Sequence, residues 1–325
     1  MTMYIQIEAQ KKKLKDFTSF IEMVTKNDFR KLLEFVTVDY LVRTKQVRIA
    51  KKTDQINIPQ ETSENITKNI FIGCFKSQFV GGGTVYDAIL EIKEHIDVYS
   101  KLYEILEDKR SKETLQYILY HKFFGDERYF AKSYCPDAQY YRPELLRTRE
   151  NGVFVDCGAF DGETVKQYIE TYGTYQKIYA YEPVPENIEK VRENLSHFDN
   201  VICRHAGVSN KSGTMTFTSH MPGTANRLHP NGDKIVDVVT LDEDIPERID
   251  FIKMDIESAE PDALIGAKGH IQKDKPELAV CVYHTISDLR VIFEIIYEIN
   301  TQQRFNLRHH NNHNCEEIVL YVSPL

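Results

Sequence analysis

No run of apolar residues in this 325-residue chain approaches the roughly 20 needed to cross a bilayer. The opening residues, Met1-Thr2-Met3-Tyr4-Ile5-Gln6-Ile7-Glu8, lack the apolar core and small-residue cleavage site of a secretory signal. The chain also lacks any Cys-x-x-Cys pair. Its six cysteines, Cys74, Cys135, Cys157, Cys203, Cys281 and Cys315, are scattered, which reads as reduced thiols in a cytoplasm rather than a disulfide framework or a zinc site. An excess of basic residues is missing too: 41 Lys and Arg stand against 49 Asp and Glu, a net charge of −8. Wrapping a phosphate backbone needs a cationic stripe, so nucleic acid is a poor candidate partner. What is present, 28% charged and 42% hydrophobic residues, is ordinary for a globular protein and excludes collagen, coiled coil and wholesale disorder. At about 150 residues per domain the length suggests two domains or one enlarged one.

The hydrophobic pattern changes near residue 148. Before it, Phe17, Phe20, Ile21, Val24, Phe29, Leu32, Leu33 and Val36 recur at helical steps, and further helical patterns run over 85–106 and 111–124. Lys11-Lys12-Lys13 reads as a solvated face, and the polar stretch 51–69 as a loop. Gly81-Gly82-Gly83 lacks the Gly-Lys-Ser/Thr of a phosphate loop and reads as a turn before a helix. We therefore expect a mainly helical region over 1–148, as substrate cover or oligomerisation element, with a homodimer through it open. A second domain is expected over 149–325. There, short apolar strands at 153–156, 178–181, 201–206, 251–254, 278–283 and 318–322 alternate with helical patterns at 164–172, 185–195, 261–269 and 286–299. Such alternation builds a parallel, doubly wound α/β sheet. A polar interval from Ser212 to Leu241 interrupts it, with β-like pieces at 214–218 and 235–240.

Three motifs carry chemistry. The first is Val153-Phe154-Val155-Asp156-Cys157-Gly158-Ala159-Phe160-Asp161-Gly162-Glu163-Thr164: a strand, a turn with two glycines, then a helix. In open α/β sheets, ligands bind at such carboxyl ends of strands. A pyrophosphate needs bare amides at the helix start. Here Asp156, Asp161 and Glu163 would repel phosphate, while they suit a ligand bearing an ammonium and a sulfonium, as S-adenosylmethionine does. The second is Tyr179-Ala180-Tyr181-Glu182-Pro183, whose Glu182 lies 24 residues beyond Gly158, near the offset of a ribose-binding acid. The third is Phe251-Ile252-Lys253-Met254-Asp255-Ile256-Glu257-Ser258-Ala259-Glu260. Asp255 and Glu257 share parity while the chain stays extended, so both could face one cleft as general base, cation ligand or ammonium partner. Lys253 could neutralise the cluster. Further on, Tyr283-His284 ends one strand and Arg308-His309-His310 precedes another. His310 and His313 have a metal-like spacing, although a polar His/Asn loop is more often simply solvated.

These motifs give the segment from about Tyr140 to Leu325 its resemblance to the FkbM family of S-adenosylmethionine-dependent methyltransferases. Ala263-Leu264-Ile265-Gly266-Ala267, Tyr283-His284 and Arg308-His309-His310 with Leu320-Tyr321 reinforce it. The resemblance implies a class I methyltransferase fold, a Rossmann-like sheet of seven strands with the last antiparallel, and O-methylation of a hydroxyl, commonly on sugars or polyketides. Ser258 departs from it, standing where the family usually has glycine. The resulting expectation is an S-adenosylmethionine-dependent O-methyltransferase acting on a glycan or related hydroxylated metabolite. Asp156, Gly158, Ala159, Asp161, Gly162, Glu182, Pro183, Ala206 and Asp255 are expected at the cofactor. Asp255, then His284 and His310, are ranked as base, with Glu257 beside them; a divalent cation at Asp255 is left undecided. Tyr140 and Tyr141 are candidates for stacking on a sugar face, weighed against simply joining the two regions. The competing readings are a nicotinamide-dependent oxidoreductase on a similar sheet and a cofactor-binding protein without turnover.

Overall fold

A computed structural model of the chain describes residues 14, 16–28, 31–33, 35–36, 83–147, 150–218, 227–228 and 234–325. Lys11-Lys12-Lys13, the 51–69 stretch, Cys74, Gly81 and Gly82 lie outside the described residues. Helix α1 (Phe17–Lys26) opens with a capping box in which Asp16 and Ser19 satisfy each other's amides. Helix α2 (Val85–Glu94) does the same with Thr84 and Asp87. The helical pattern expected over 85–106 breaks at His95, and α3 (Ile96–Ile105) follows it. Helix α4 (Lys109–Phe124) closes on the left-handed Gly125, and a short α5 (Phe130–Ser133) comes after.

The second half is built from β1 (Gly152–Cys157), α6 (Glu163–Tyr172), β2 (Tyr175–Tyr181), α7 (Pro185–Leu195) and β3 (Val201–Arg204). Every residue of β1 is buried, as a strand covered on both faces requires. The segment expected as one strand over 201–206 ends at Arg204. The chain then turns into β4 (Gly207–Val208), which joins β5 (Gly213–Thr218), β6 (Arg227–Leu228) and β7 (Lys234–Val239) in a separate four-stranded sheet, ordered β4-β7-β5-β6. The polar interval is thus an inserted sheet.

After α8 (Leu241–Asp244) come β8 (Phe251–Met254), α9 (Glu260–Ile265), α10 (Lys268–Lys273), β9 (Glu277–Cys281), α11 (Asp288–Ile299), β10 (Gln303–His309) and β11 (Ile318–Pro324). The helix expected over 261–269 is split at Gly266, where a Cβ would lie 2.0 Å from the Ser209 carbonyl oxygen. Strand β10 escaped the sequence reading because its buried positions include Gln303, Asn306, Arg308 and His309. Helix α4 and the turn before it supply the partners of Asn306 and Arg308. Arg308 pairs with Asp108 at 2.7 Å and donates to Ser111 Oγ at 2.7 Å, and Ser111 Oγ accepts from the Leu307 amide.

The seven-stranded sheet runs β10-β11-β9-β8-β1-β2-β3. Strands β9, β8, β1, β2 and β3 are mutually parallel, and β11 is antiparallel to both its neighbours. This is the class I methyltransferase-like α/β fold with a helical N-terminal region. The order reverses between β1 and β8, so their carboxyl ends flank the crevice where such sheets bind ligands. One apolar core joins α1–α4 to a face of the sheet and to α11. On the opposite face Tyr141, Phe154, Tyr168 and Phe251 pack edge and face. Tyr141 is therefore buried in the core and does not face a cleft; it joins its segment to the sheet.

Candidate active site

The loop after β1 is shaped from beneath. Asp156 is fully buried and pairs with Lys253 of β8 at 2.9 Å, and it also accepts from Thr164 at the start of α6. Lys253 donates onward to the Gly158 carbonyl at 2.8 Å. Burial pulls the Lys253 ammonium down, but the charges of Asp156 and Asp255 more than offset it and hold the proton firmly. Asp156 thus props the loop from behind and offers no atom to a ligand, which corrects the expectation that it faces the cofactor; Lys253 neutralises it.

Gly158 has φ +85, and a Cβ there would fall 2.0 Å from the Asp255 carbonyl oxygen. Only glycine allows the two loops to touch. Gly158 and Ala159 both donate their amides to the Tyr181 carbonyl at 3.0 Å, which seats the loop on the end of β2. Glu182, 5% exposed, accepts from the Phe160 amide at 3.0 Å and from Val184 at 2.9 Å. Burial raises its carboxyl, and those two amides oppose the rise. The Glu182 amide donates to the Arg204 carbonyl at 3.1 Å, so the end of β3, with Ala206 two residues on, lies beside it. The first motif, Glu182-Pro183 and Ala206 therefore come together. Asp161 receives the Glu163 amide at 3.1 Å, so a carboxylate already occupies the first turn of α6, whose preceding residue Gly162 has φ +87. A pyrophosphate would meet that carboxylate.

On the other side of Gly158 stands a crowded acidic centre. Asp255 accepts from the Tyr140 hydroxyl at 2.7 Å, and its other oxygen lies 3.1 Å from His284 Nε2 and accepts from Tyr283 at 3.3 Å. The same Nε2 lies 3.1 Å from Glu260 Oε1, and Nδ1 lies 3.5 Å from Glu257 Oε2. Burial would raise the Asp255 carboxyl, yet the adjoining His284 and the Lys253 charge hold it well below the usual carboxylate range. Burial would strip the proton from His284, but Asp255 and Glu260 together push its pKa up to about 11. Glu257 goes the other way: burial, opposed by His284 and reinforced by Asp255 and Glu260, lifts it to about 7. These environments alter the expected ranking of bases, since Asp255 holds its proton too weakly and His284 too tightly.

Asp255 and Glu257 converge, but not by the extended-chain parity that suggested it. Strand β8 stops at Met254, and Glu257 (φ +56) and Ser258 (φ +78) make a left-handed turn. Ser258 occupies a backbone conformation that glycine adopts freely. His310 is not brought to the centre. Burial lowers it to about 4; its Nδ1–H donates to the Asp137 carbonyl at 3.1 Å and its Nε2 accepts from the Tyr321 hydroxyl at 2.9 Å. Tyr321 Oη in turn accepts the Tyr140 amide, so His310 supports Tyr140 from a distance. Tyr140, 5% exposed and with φ +63, is too enclosed to stack on a sugar and instead hydrogen-bonds Asp255. In the sequence Glu260 reads only as an acid of the third motif flanking the helix start, without being singled out for the site, and the hydrogen-bonding role of Tyr140 escaped the sequence reading. Glu260 resembled an ordinary acid in the first turn of a helix, and nothing local marks Tyr140 as a partner of a residue 115 positions away.

No curated protein sequence matches the chain. Among solved structures, an FkbM methyltransferase from Methylobacillus flagellatus KT aligns with TM-score 0.65 and 23% identity, over 89% of this chain and 70% of that one. An rRNA methylase from Streptococcus thermophilus aligns at TM-score 0.38 and 16% identity, over 58% and 99% of the two chains. Aeropyrum pernix fibrillarin, with natively bound S-adenosyl-L-methionine, aligns at TM-score 0.36 and 9% identity, over 55% and 68%. The sequence profile of the methyltransferase FkbM domain matches residues 156–319, half of the chain, and with its motifs laid around the crevice between β1 and β8 the chain belongs to the FkbM methyltransferase family.

Proposed function

We propose that the chain is an S-adenosylmethionine-dependent O-methyltransferase acting on a hydroxyl of a sugar, glycan or related metabolite. The observation that carries the cofactor is the first turn of α6, where Asp161 has taken the amide of Glu163 that a dinucleotide phosphate would need. This counts against the nicotinamide reading and fits a phosphate-free ligand. Gly158, Ala159, Gly162 and Pro183 shape the cofactor wall, Glu182 is placed for the ribose hydroxyls, and Ala206 for the adenine. When bound, S-adenosylmethionine supplies a methyl group already activated on a sulfonium.

The chain's own work is alignment and proton handling. Glu257, lifted to about 7, is matched to take the hydroxyl proton near neutral pH. Asp255, held ionised and fixed by Tyr140 and His284, orients the acceptor hydroxyl. His284 keeps the carboxylates apart and holds their positions.

The test is a calorimetric titration of the purified chain with S-adenosylhomocysteine and, separately, with NADH. One S-adenosylhomocysteine per chain with no NADH binding is expected. NADH binding without S-adenosylhomocysteine binding would overturn the reading. Binding without label transfer from methyl-labelled S-adenosylmethionine to a panel of hydroxylated acceptors would favour the cofactor-binding protein without turnover.

A further inference from the structure

Asp255, Glu260 and His284 come from the end of β8, the start of α9 and the loop after β9. They each bring one ligating atom to within 4.8 Å of the other two. We propose that these three residues bind a divalent first-row metal ion in octahedral coordination, beside the methyl-transfer cleft.

Two distances support it. Nε2 of His284 lies 3.1 Å from Asp255 Oδ1 and 3.1 Å from Glu260 Oε1. An ion about 2.1 Å from two atoms so spaced subtends an angle of about 95°, near an octahedral edge and well short of a tetrahedral one. A single proton on Nε2, which a bound ion would displace, can serve only one of these oxygens. A ring N–H points one way, yet two carboxylate oxygens stand equally far off, and the buried Nε2 makes an aligned hydrogen bond to neither. Glu260 is fully buried, and its Oε2 also has no hydrogen-bond partner. Such orphaned atoms in a protein interior call for a ligand.

The outer contacts are those of a metal centre. Metal-binding histidines commonly present their other ring nitrogen to a carboxylate, and Glu257 Oε2 stands 3.5 Å from Nδ1. The ligating carboxylates are themselves held: Asp255 by the Tyr140 hydroxyl at 2.7 Å, Glu260 by the Ile256 amide at 2.7 Å. Charge argues the same way. Lys253 pairs with Asp156 and reaches Asp255 only through its field, while Asp255, Glu257 and Glu260 place three carboxylates around one imidazole. One imidazole with two carboxylates suits Mn2+ better than Mg2+, which prefers oxygen alone. Three protein ligands leave positions for the acceptor hydroxyl. A hydroxyl held there would give up its proton more readily.

This role for the ion rests on the methyl-transfer reading; the site itself does not, so the two are measured apart. Mn2+ is titrated into metal-free protein and free Mn2+ is read by electron paramagnetic resonance, while S-adenosylhomocysteine binding is measured by calorimetry on the same sample. One Mn2+ per chain is expected, with nitrogen coupling from an imidazole in the pulsed spectrum. Glu260→Gln and His284→Ala should each weaken Mn2+ by more than about 100-fold, and Glu257→Gln by about 10-fold, with S-adenosylhomocysteine affinity unchanged. Absence of Mn2+ binding, or binding without nitrogen coupling, overturns the metal site in the wild-type protein alone, whatever the variants do. Mn2+ binding without S-adenosylhomocysteine binding would instead sustain the site and overturn the cofactor.

Discussion

The two sides of Gly158 differ in how their charges are settled. On the β1–β2 side every carboxylate has a protein partner: Asp156 has Lys253 and Thr164, Asp161 has the amide of Glu163, and Glu182 has two amides. On the β8–β9 side, Asp255 and Glu260 also accept hydrogen bonds, from Tyr140, Tyr283 and the Ile256 amide, but with Glu257 they crowd their charges around a single histidine, whose Nε2 lacks an aligned hydrogen bond. The first side has put its polar groups into a rigid surface; the second holds unspent charge. A surface suits recognition of a constant cofactor, whereas unspent charge suits moving a proton on a variable acceptor.

The largest effects should come from breaking the settled side. Lys253→Met leaves the Asp156 carboxylate buried and unpaired, and is expected to cost about 3–5 kcal/mol in denaturant unfolding. A loss below about 1 kcal/mol would show that the pair does not hold this side. Gly158→Ala adds a Cβ 2.0 Å from the Asp255 carbonyl oxygen at a φ of +85. We expect a loss on the order of 3 kcal/mol together with loss of S-adenosylhomocysteine binding, because the variant drives the two sides apart.

Acid should weaken the fold away from the crevice. His309 and His121 are buried and held down to about 4, and His309 Nδ1 accepts from Ser133 at 2.7 Å. Their folded pKa lies below the unfolded value of about 6.5, so the folded state binds fewer protons between those limits. Their contribution is present above about pH 6.5 and is lost as pH falls toward 4, by roughly 2 kcal/mol per histidine at pH 5. Ring chemical shifts of His309 that titrate near 6.5 in the folded protein would contradict this.

Smaller changes sharpen the comparison. Tyr140→Phe removes one hydrogen bond from Asp255 and should cost about 1 kcal/mol of stability, yet lower methyl transfer at least tenfold with cofactor affinity unchanged. Ser258→Gly relaxes a left-handed position and should stabilise the fold by about 1 kcal/mol or less; destabilisation would mean that the serine side chain has a role the backbone does not reveal.

The settled side was legible in the sequence because it is local. Strand, glycine turn and helix follow one another from Val153 to Thr164, and Glu182 ends the next strand. The fold was legible for the same reason, since each strand–helix unit announces itself by its apolar run. What stayed hidden depends on distant partners. Strand β10 reads as polar until Asp108 and Ser111 cover Arg308, and Asp156 looks like a ligand contact until Lys253 claims it. Tyr140 reaches Asp255 across 115 residues, and Glu260 becomes more than a helix-start acid only when His284 arrives from the loop after β9.

The most direct measurement is S-adenosylhomocysteine affinity by calorimetry in two variants, Glu182→Ala on the settled side and Glu257→Gln on the other. The expected result is collapse of binding in the first and wild-type affinity in the second, which nevertheless fails to transfer methyl. Equal loss in both, or no loss in the first, would contradict the division of the crevice into a cofactor side and an acceptor side.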